Sequence, residues 1–276
     1  MANSINPVPQ APSSRDDFWT VAAIAVLAAI VTNMAHETIG HGVGLLLAGG
    51  RSGIFTTTRL IVPTPVPNPA WCIFDLGGPA GNLAFAGLGW FGLRLLPAAR
   101  THWRLFCWLV MAFSLFWAFG YLLFSGVMGR GDWLALLPEH WWPGRVLLAI
   151  AGFLLYEASI RIGAHEFGGI LDGSTVDMRV RARRLIGVAW LAGGVIATAG
   201  PALDPRGALE MLNSGALSSF AAAVGLLRIP RRLKAVASPP AGQDYTITRS
   251  TGWMVAALAA SVFFIALLGP GIRWRL

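Results

Sequence analysis

The stretch that decides the reading is Phe18-Trp-Thr-Val-Ala-Ala-Ile-Ala-Val-Leu-Ala-Ala-Ile-Val-Thr-Asn33-Met-Ala-His36-Glu37-Thr-Ile-Gly40-His41-Gly-Val-Gly44-Leu-Leu-Leu47-Ala48. A hydrocarbon layer of about 30 Å takes roughly 20 helical residues to cross, and this run is long and apolar enough to do so. Yet it carries two imidazoles and a carboxylate, His36, Glu37 and His41, close together. An ionisable group at membrane depth costs about 2.5 to 3.5 kcal/mol even on a lenient insertion scale. Three such groups in one span call for a functional reason.

The rest of the chain agrees with a membrane setting. Of 276 residues, 55% are hydrophobic and 12% charged, about half the charge of an ordinary soluble domain. That excludes a soluble fold and a disordered chain. The only cysteines, Cys72 and Cys107, exclude a disulfide scaffold. A net charge of +8 would suggest a nucleic-acid partner in a soluble protein. Here the arginines lie between apolar runs, so the expected partner is the lipid bilayer and not nucleic acid.

The expected fold is all-α: a polytopic helical membrane protein with six to seven spans and a short strand-like insertion after the first. The spans read as Phe18 to Ala48, Phe74 to Leu96, Trp103 to Phe124, Arg145 to Ile160, Leu185 to Ala199, Ala208 to Leu227 and Gly252 to Leu268. The sixth holds Glu210 and Asn213 in its first turns, and without it the carboxy terminus changes sides. Arg94, Arg100 and Arg104 flank the second connection, Arg179, Arg181, Arg183 and Arg184 the fourth, and Arg228, Arg231, Arg232 and Lys234 the sixth. The positive-inside rule then makes these connections and the amino terminus cytoplasmic. The expected location is the bacterial inner membrane, with multiple crossings. Residues 1–17 read as a polar cytoplasmic tail, 18–134 as a catalytic membrane core, and 135–276 as further spans with basic connections.

Between Gly49 and Ile73, threonines stand with Ile, Phe and Val before Pro63, Pro65, Pro67 and Pro69. This favours a short strand or hairpin at the membrane surface. Arg161 to Arg184 reads as a solvated connection, and Pro239 to Asp244 as a linker.

The polar cluster of the first span is close to His-Glu-x-x-His, in which two imidazoles bind zinc and the glutamate is the general base. Here the histidines are one residue further apart. At 100° per residue, positions four apart lie about 40° off a common face, whereas positions five apart lie about 140° off. A one-residue π-bulge would restore convergence, and Gly40 is the residue that tolerates it best. The alternative is a pair of histidines hydrogen-bonding between helices, which leaves Glu37 unexplained.

The lengthened spacing resembles the His-Glu-x-x-Gly-His motif of dipeptidyl-peptidase-III-type metallopeptidases. The surrounding chain resembles site-2-protease-like intramembrane metallopeptidases over Asn33 to Trp133. The resemblance rests on the histidine motif with its following Gly-Val-Gly-Leu-Leu-Leu-Ala-Gly-Gly50, on Gly77-Gly78-Pro79-Ala80-Gly81-Asn82, and on Gly131-Asp132-Trp133 after the third span. It implies Zn²⁺ held by His36, His41 and Asp132, with Asn82 facing the site. The family's Leu-Asp-Gly context and preceding Asn-x-x-Pro are absent. Glu166 and Asp75 therefore stay open as third ligands, and Asp132 as a helix N-cap. Gly77 to Asn82 also reads as a small-residue packing face, and Glu157 and Glu210 as partners of arginines.

The implied activity is that of a zinc metalloendopeptidase cutting a membrane-anchored protein substrate. Glu37 would take a proton from the zinc-activated water and pass it to the departing amine, with Asn82 helping to stabilise the oxyanion. The strand-like connection Ile54 to Val62 would offer an edge for an extended substrate. Two other readings remain: a metal-binding membrane protein without proteolytic turnover, and an ion or proton transporter. The last requires polar residues spread over several spans, whereas here they gather in the first.

Overall fold

The computed structural model describes residues 16–63, 70–138, 141–171, 175–234 and 245–276. The prolines at 65, 67 and 69, the 239–244 linker and residues 1–15 lie outside them. Seven long helices run through the described residues: α1 (Phe18–Leu47), α2 (Trp71–Leu95), α3 (Thr101–Met128), α4 (Trp142–Gly168), α5 (Thr175–Ala199), α6 (Ala208–Arg232) and α7 (Thr251–Leu268). All but α2 are long and apolar enough to cross a membrane by composition. The chain is thus a multi-pass helical membrane protein. In α2, the glycines, Asp75 and Asn82 dilute the hydropathy, but its 25 residues reach about 37 Å at 1.5 Å per residue.

α1 begins where the Asp17 side chain accepts a hydrogen bond from the Thr20 amide at 2.8 Å, satisfying a donor that the helix cannot. Val21, Ile24, Ala25 and Ala28 are fully buried, because α1 is enclosed by α3, α5 and α7, and by α2 along its last turns. Trp108, Phe113, Phe116 and Phe167 fill the space around α3. Leucines on α4 and α7 such as Leu147, Leu154 and Leu258 face outward. That exposure is costly in water and suits a lipid-facing surface.

A three-stranded antiparallel sheet lies at one end of the bundle, in the order β2 (Leu60–Ile61), β1 (Ser52–Phe55), β3 (Ile272–Arg275). Ile54 pairs with Ile61 on one side and with Arg273 on the other. The hairpin after the first span was expected, and β3 was not. β1 leaves the end of α1 and β3 leaves the end of α7, so their pairing puts both ends on one face of the bundle. Six of the helices, α6 among them, have the length and composition of membrane spans. Glu210 is tolerated at its start because Arg59 lies 3.2 Å from it and Arg206 also pairs with it. Glu157 is paired with Arg228, as expected.

Two expectations need correction. The segment 161–184 is helical over most of its length, since α4 continues to Gly168 and α5 starts at Thr175. The apolar pattern marks only the lipid-crossing part of a helix, and hydrogen bonding carries each helix on into polar surroundings. The edge expected along Ile54 to Val62 narrows to β2, because β2 and β3 occupy both sides of β1 and β2 has an unpaired side among the described residues.

Candidate metal centre

The centre is built on a distortion of α1. Residues Ala35–Gly40 form a π-helical turn between two α-helical segments. The His41 amide donates to the carbonyl of His36, five residues back, so the two histidines share a face as the bulge requires. Their rings stand edge to face with centroids 4.9 Å apart.

Glycine explains how α2 can approach this turn. A Cβ on Gly40 would collide with the carbonyl of Gly77, and one on Gly81 with the carbonyl of Ala35. The segment 77–82 is therefore a close-packing face and a site element at once. A Cβ on Gly78 would lie 2.6 Å from the Nε2 atoms of both His36 and His41. The room in front of the imidazoles exists because that residue lacks a side chain.

The other ring nitrogens are held from behind. His41 Nδ1 lies 2.9 Å from the Phe74 carbonyl and donates to it. His36 Nδ1 faces the Asn82 side-chain amide at 3.1 Å, while the buried Asn82 Oδ1 has no partner. A half-turn of that amide lets Oδ1 accept from Nδ1–H and removes the orphan. Both Nε2 lone pairs are then free to face the cavity, the pattern found behind histidine metal ligands. Asn82 thus stands behind His36, in position to orient its ring.

Asp132 arrives from the turn after α3. Gly129 (φ 66°) ends that helix in the left-handed region and Gly131 (φ 114°) reverses the chain. The Trp133 indole donates to the Ala118 carbonyl at 3.0 Å and pins the turn. Gly131 occupies the cap position of the short helical turn Asp132–Leu136, and no side chain caps it. The Asp132 carboxylate is turned instead towards the histidines, with Oδ2 3.0 Å from His36 Nε2 and 3.4 Å from His41 Nε2.

These three residues form a metal-sized donor group, their ligand atoms lying within 4.8 Å of one another. Zinc bonds of about 2.0–2.1 Å at tetrahedral angles put neighbouring ligands about 3.3 Å apart, close to the 3.0 and 3.4 Å found. Asp132 Oδ2 is buried and faces both Nε2 atoms, so one carboxylate oxygen and two imidazole nitrogens converge on the same space. The two-nitrogen, one-oxygen set fits Zn²⁺.

The rival ligands separate cleanly. Glu166 lies elsewhere, 2.6 Å from Arg94 and 3.2 Å from the Trp90 indole nitrogen. Asp75 lines the same cavity but is outside the three-donor group. Glu37 lines the cavity too, and no cation is paired with it among the described residues.

The cavity encloses about 240 Å³. Its roof is the hairpin loop, held down by Asn33 Nδ2 donating to the Thr57 carbonyl at 2.9 Å and by Arg59, 3.4 Å from Asp204 and 3.2 Å from Glu210. The centre therefore lies towards the sheet end of the bundle, away from the amino terminus. Tyr121 joins the lining, its ring 6.0 Å from that of His36. Neither Tyr121 nor the roof contacts carried a local signal in the sequence, because each depends on a partner far along the chain. Comparison of the chain with family models, with curated proteins and with solved structures gives no match, and the centre rests on its own geometry.

Proposed function

We propose that the protein is an integral-membrane zinc metallopeptidase that hydrolyses peptide bonds of membrane-anchored protein substrates. The observation that carries this reading is the convergence of His36, His41 and Asp132 in one cavity with Glu37, which is paired with no cation among the described residues. Three protein ligands leave one coordination position open, which is the arrangement of catalytic rather than structural zinc sites. Bound there, Zn²⁺ would supply Lewis acidity and bring the pKa of a water towards about 7.

The chain's own residues supply the rest. Glu37, next in sequence to His36, accepts the proton of the attacking water and delivers it to the nitrogen of the breaking C–N bond. The Phe74 carbonyl and Asn82 keep both imidazoles aimed into the cavity. The open edge of β2 offers backbone pairing to an extended substrate segment, which a helical substrate backbone could not use. The arginine distribution supports a cytoplasmic amino terminus, which puts the centre near the opposite face.

The test compares wild type with Glu37→Gln, purified with zinc, on a membrane-anchored reporter. Retention of one zinc per chain with loss of cleavage is the expected result. Equal cleavage by the variant contradicts the mechanism, and zinc binding without cleavage in either protein favours a metal-binding protein without turnover.

A further inference from the structure

At the end of the bundle where α1 begins, two cavities share a wall. One, of about 390 Å³, is lined by Arg161, His165, Arg232 and Lys234 with Ala164 and Gly168, and among the described residues by no carboxylate. The other, of about 640 Å³, is a mostly apolar groove between α2, α3 and α4 that passes Leu83, Trp90, Met111, Leu115 and Ile162. Arg161 and His165, one helical turn apart on α4, line both.

The charges do not cancel. Glu166 faces the groove but is taken by Arg94 at 2.6 Å. Glu157 is shared between Arg228 and, at 3.9 Å, Arg232, one carboxylate against two guanidiniums. Arg161 has no ion pair among the described residues. Leu83, Trp90 and Ile162 are exposed along the groove, on a surface that meets hydrocarbon when the helices cross a bilayer.

We propose that the joined cavities bind an anionic phospholipid, its phosphate among Arg161, His165, Arg232 and Lys234 and an acyl chain in the groove. Free phosphate would satisfy the basic cavity and leave the groove empty of apolar contact. A zwitterionic lipid would fill the groove but leave the excess positive charge uncompensated. Only an anion joined to a hydrocarbon chain, lying at the depth where headgroups meet acyl tails, matches both halves.

The test uses the full-length protein, purified and delipidated in detergent, with dimyristoyl phosphatidylglycerol, dimyristoyl phosphatidylcholine and inorganic phosphate titrated separately by native mass spectrometry. Phosphatidylglycerol is expected to bind at least about ten-fold more tightly than phosphatidylcholine. Arg161→Gln and, as a second headgroup variant, Lys234→Gln should each weaken it about five-fold. Gly87 lines the groove and an added Cβ there meets nothing within 4 Å. Gly87→Phe should therefore displace the chain, weaken phosphatidylglycerol binding and leave phosphate binding unchanged. Thermal midpoint and zinc content report that each variant is folded. Equal binding of the two lipids overturns the proposal, as does indifference to Gly87→Phe. Inorganic phosphate binding as tightly as phosphatidylglycerol reassigns the cavity to a free anion and overturns it too.

Discussion

The His41 amide donates to the carbonyl of His36, five residues earlier, and the π turn this bond belongs to puts both imidazoles on one face of α1. An α-helical turn would leave them about 140° apart. Deleting Thr38 or Ile39 would convert the motif to the ordinary four-residue spacing and remove the need for the bulge. Metal content after either deletion separates spacing from register: zinc retained with a shifted α2 contact means that only convergence matters.

Gly78→Ala should abolish stoichiometric zinc binding, because the added methyl lies 2.6 Å from both Nε2 atoms. Overpacking of this kind typically costs about 1–3 kcal/mol, so a modest fall in thermal midpoint is expected with it. Gly87→Ala, where an added Cβ meets nothing, is the matched control and should keep its zinc. Metal analysis of the two variants checks the contrast.

Asn82→Leu should weaken zinc binding by about 10–100-fold, the usual effect of removing the partner behind a histidine ligand. Asp132→Asn should weaken it further by removing a charged donor. Glu166→Gln should leave zinc untouched, since that carboxylate is bonded to Arg94 and Trp90. Competitive titration against a zinc chelator gives the three affinities.

Proline at Ile54 is expected to lower thermal stability as well as cleavage. Ile54 pairs with Ile61 and with Arg273, and a central strand does not accommodate a residue without an amide hydrogen. Had β1 been an open edge, cleavage alone would fall. Thermal unfolding and reporter cleavage measured on one preparation distinguish the two.

Arg59 joins the roof loop to Asp204 and Glu210, both buried. Arg59→Met should destabilise the protein by leaving Arg206 as the one arginine paired with both carboxylates among the described residues, with Glu210→Gln recovering part of the loss. The coupling expected for groups in direct contact is about 0.5–3 kcal/mol. A double-mutant cycle on thermal unfolding measures it.

What the sequence disclosed was local. The spacing of His36 and His41 with Gly40 between them announced the π turn, since no straight α-helix would use those residues together. The charge deficit announced the membrane, and Thr, Ile, Phe and Val ahead of the prolines announced the hairpin. The pairing of β1 with β3 joins residues more than two hundred positions apart and leaves no local trace. Asp132 stayed one of three carboxylates for the same reason. Only the reversal at Gly129 and Gly131, fixed by Trp133 against Ala118, selects it over Glu166 and Asp75.

The most direct test of the central claim is zinc K-edge X-ray absorption on the purified full-length protein and on Asp132→Asn. The account predicts one zinc per chain with two imidazole nitrogens at about 2.0–2.1 Å and carboxylate and water oxygens completing four-coordination, the carboxylate contribution being lost in the variant. A zinc-free protein, a sulfur ligand from Cys72 or Cys107, or a spectrum unchanged by Asp132→Asn would contradict it.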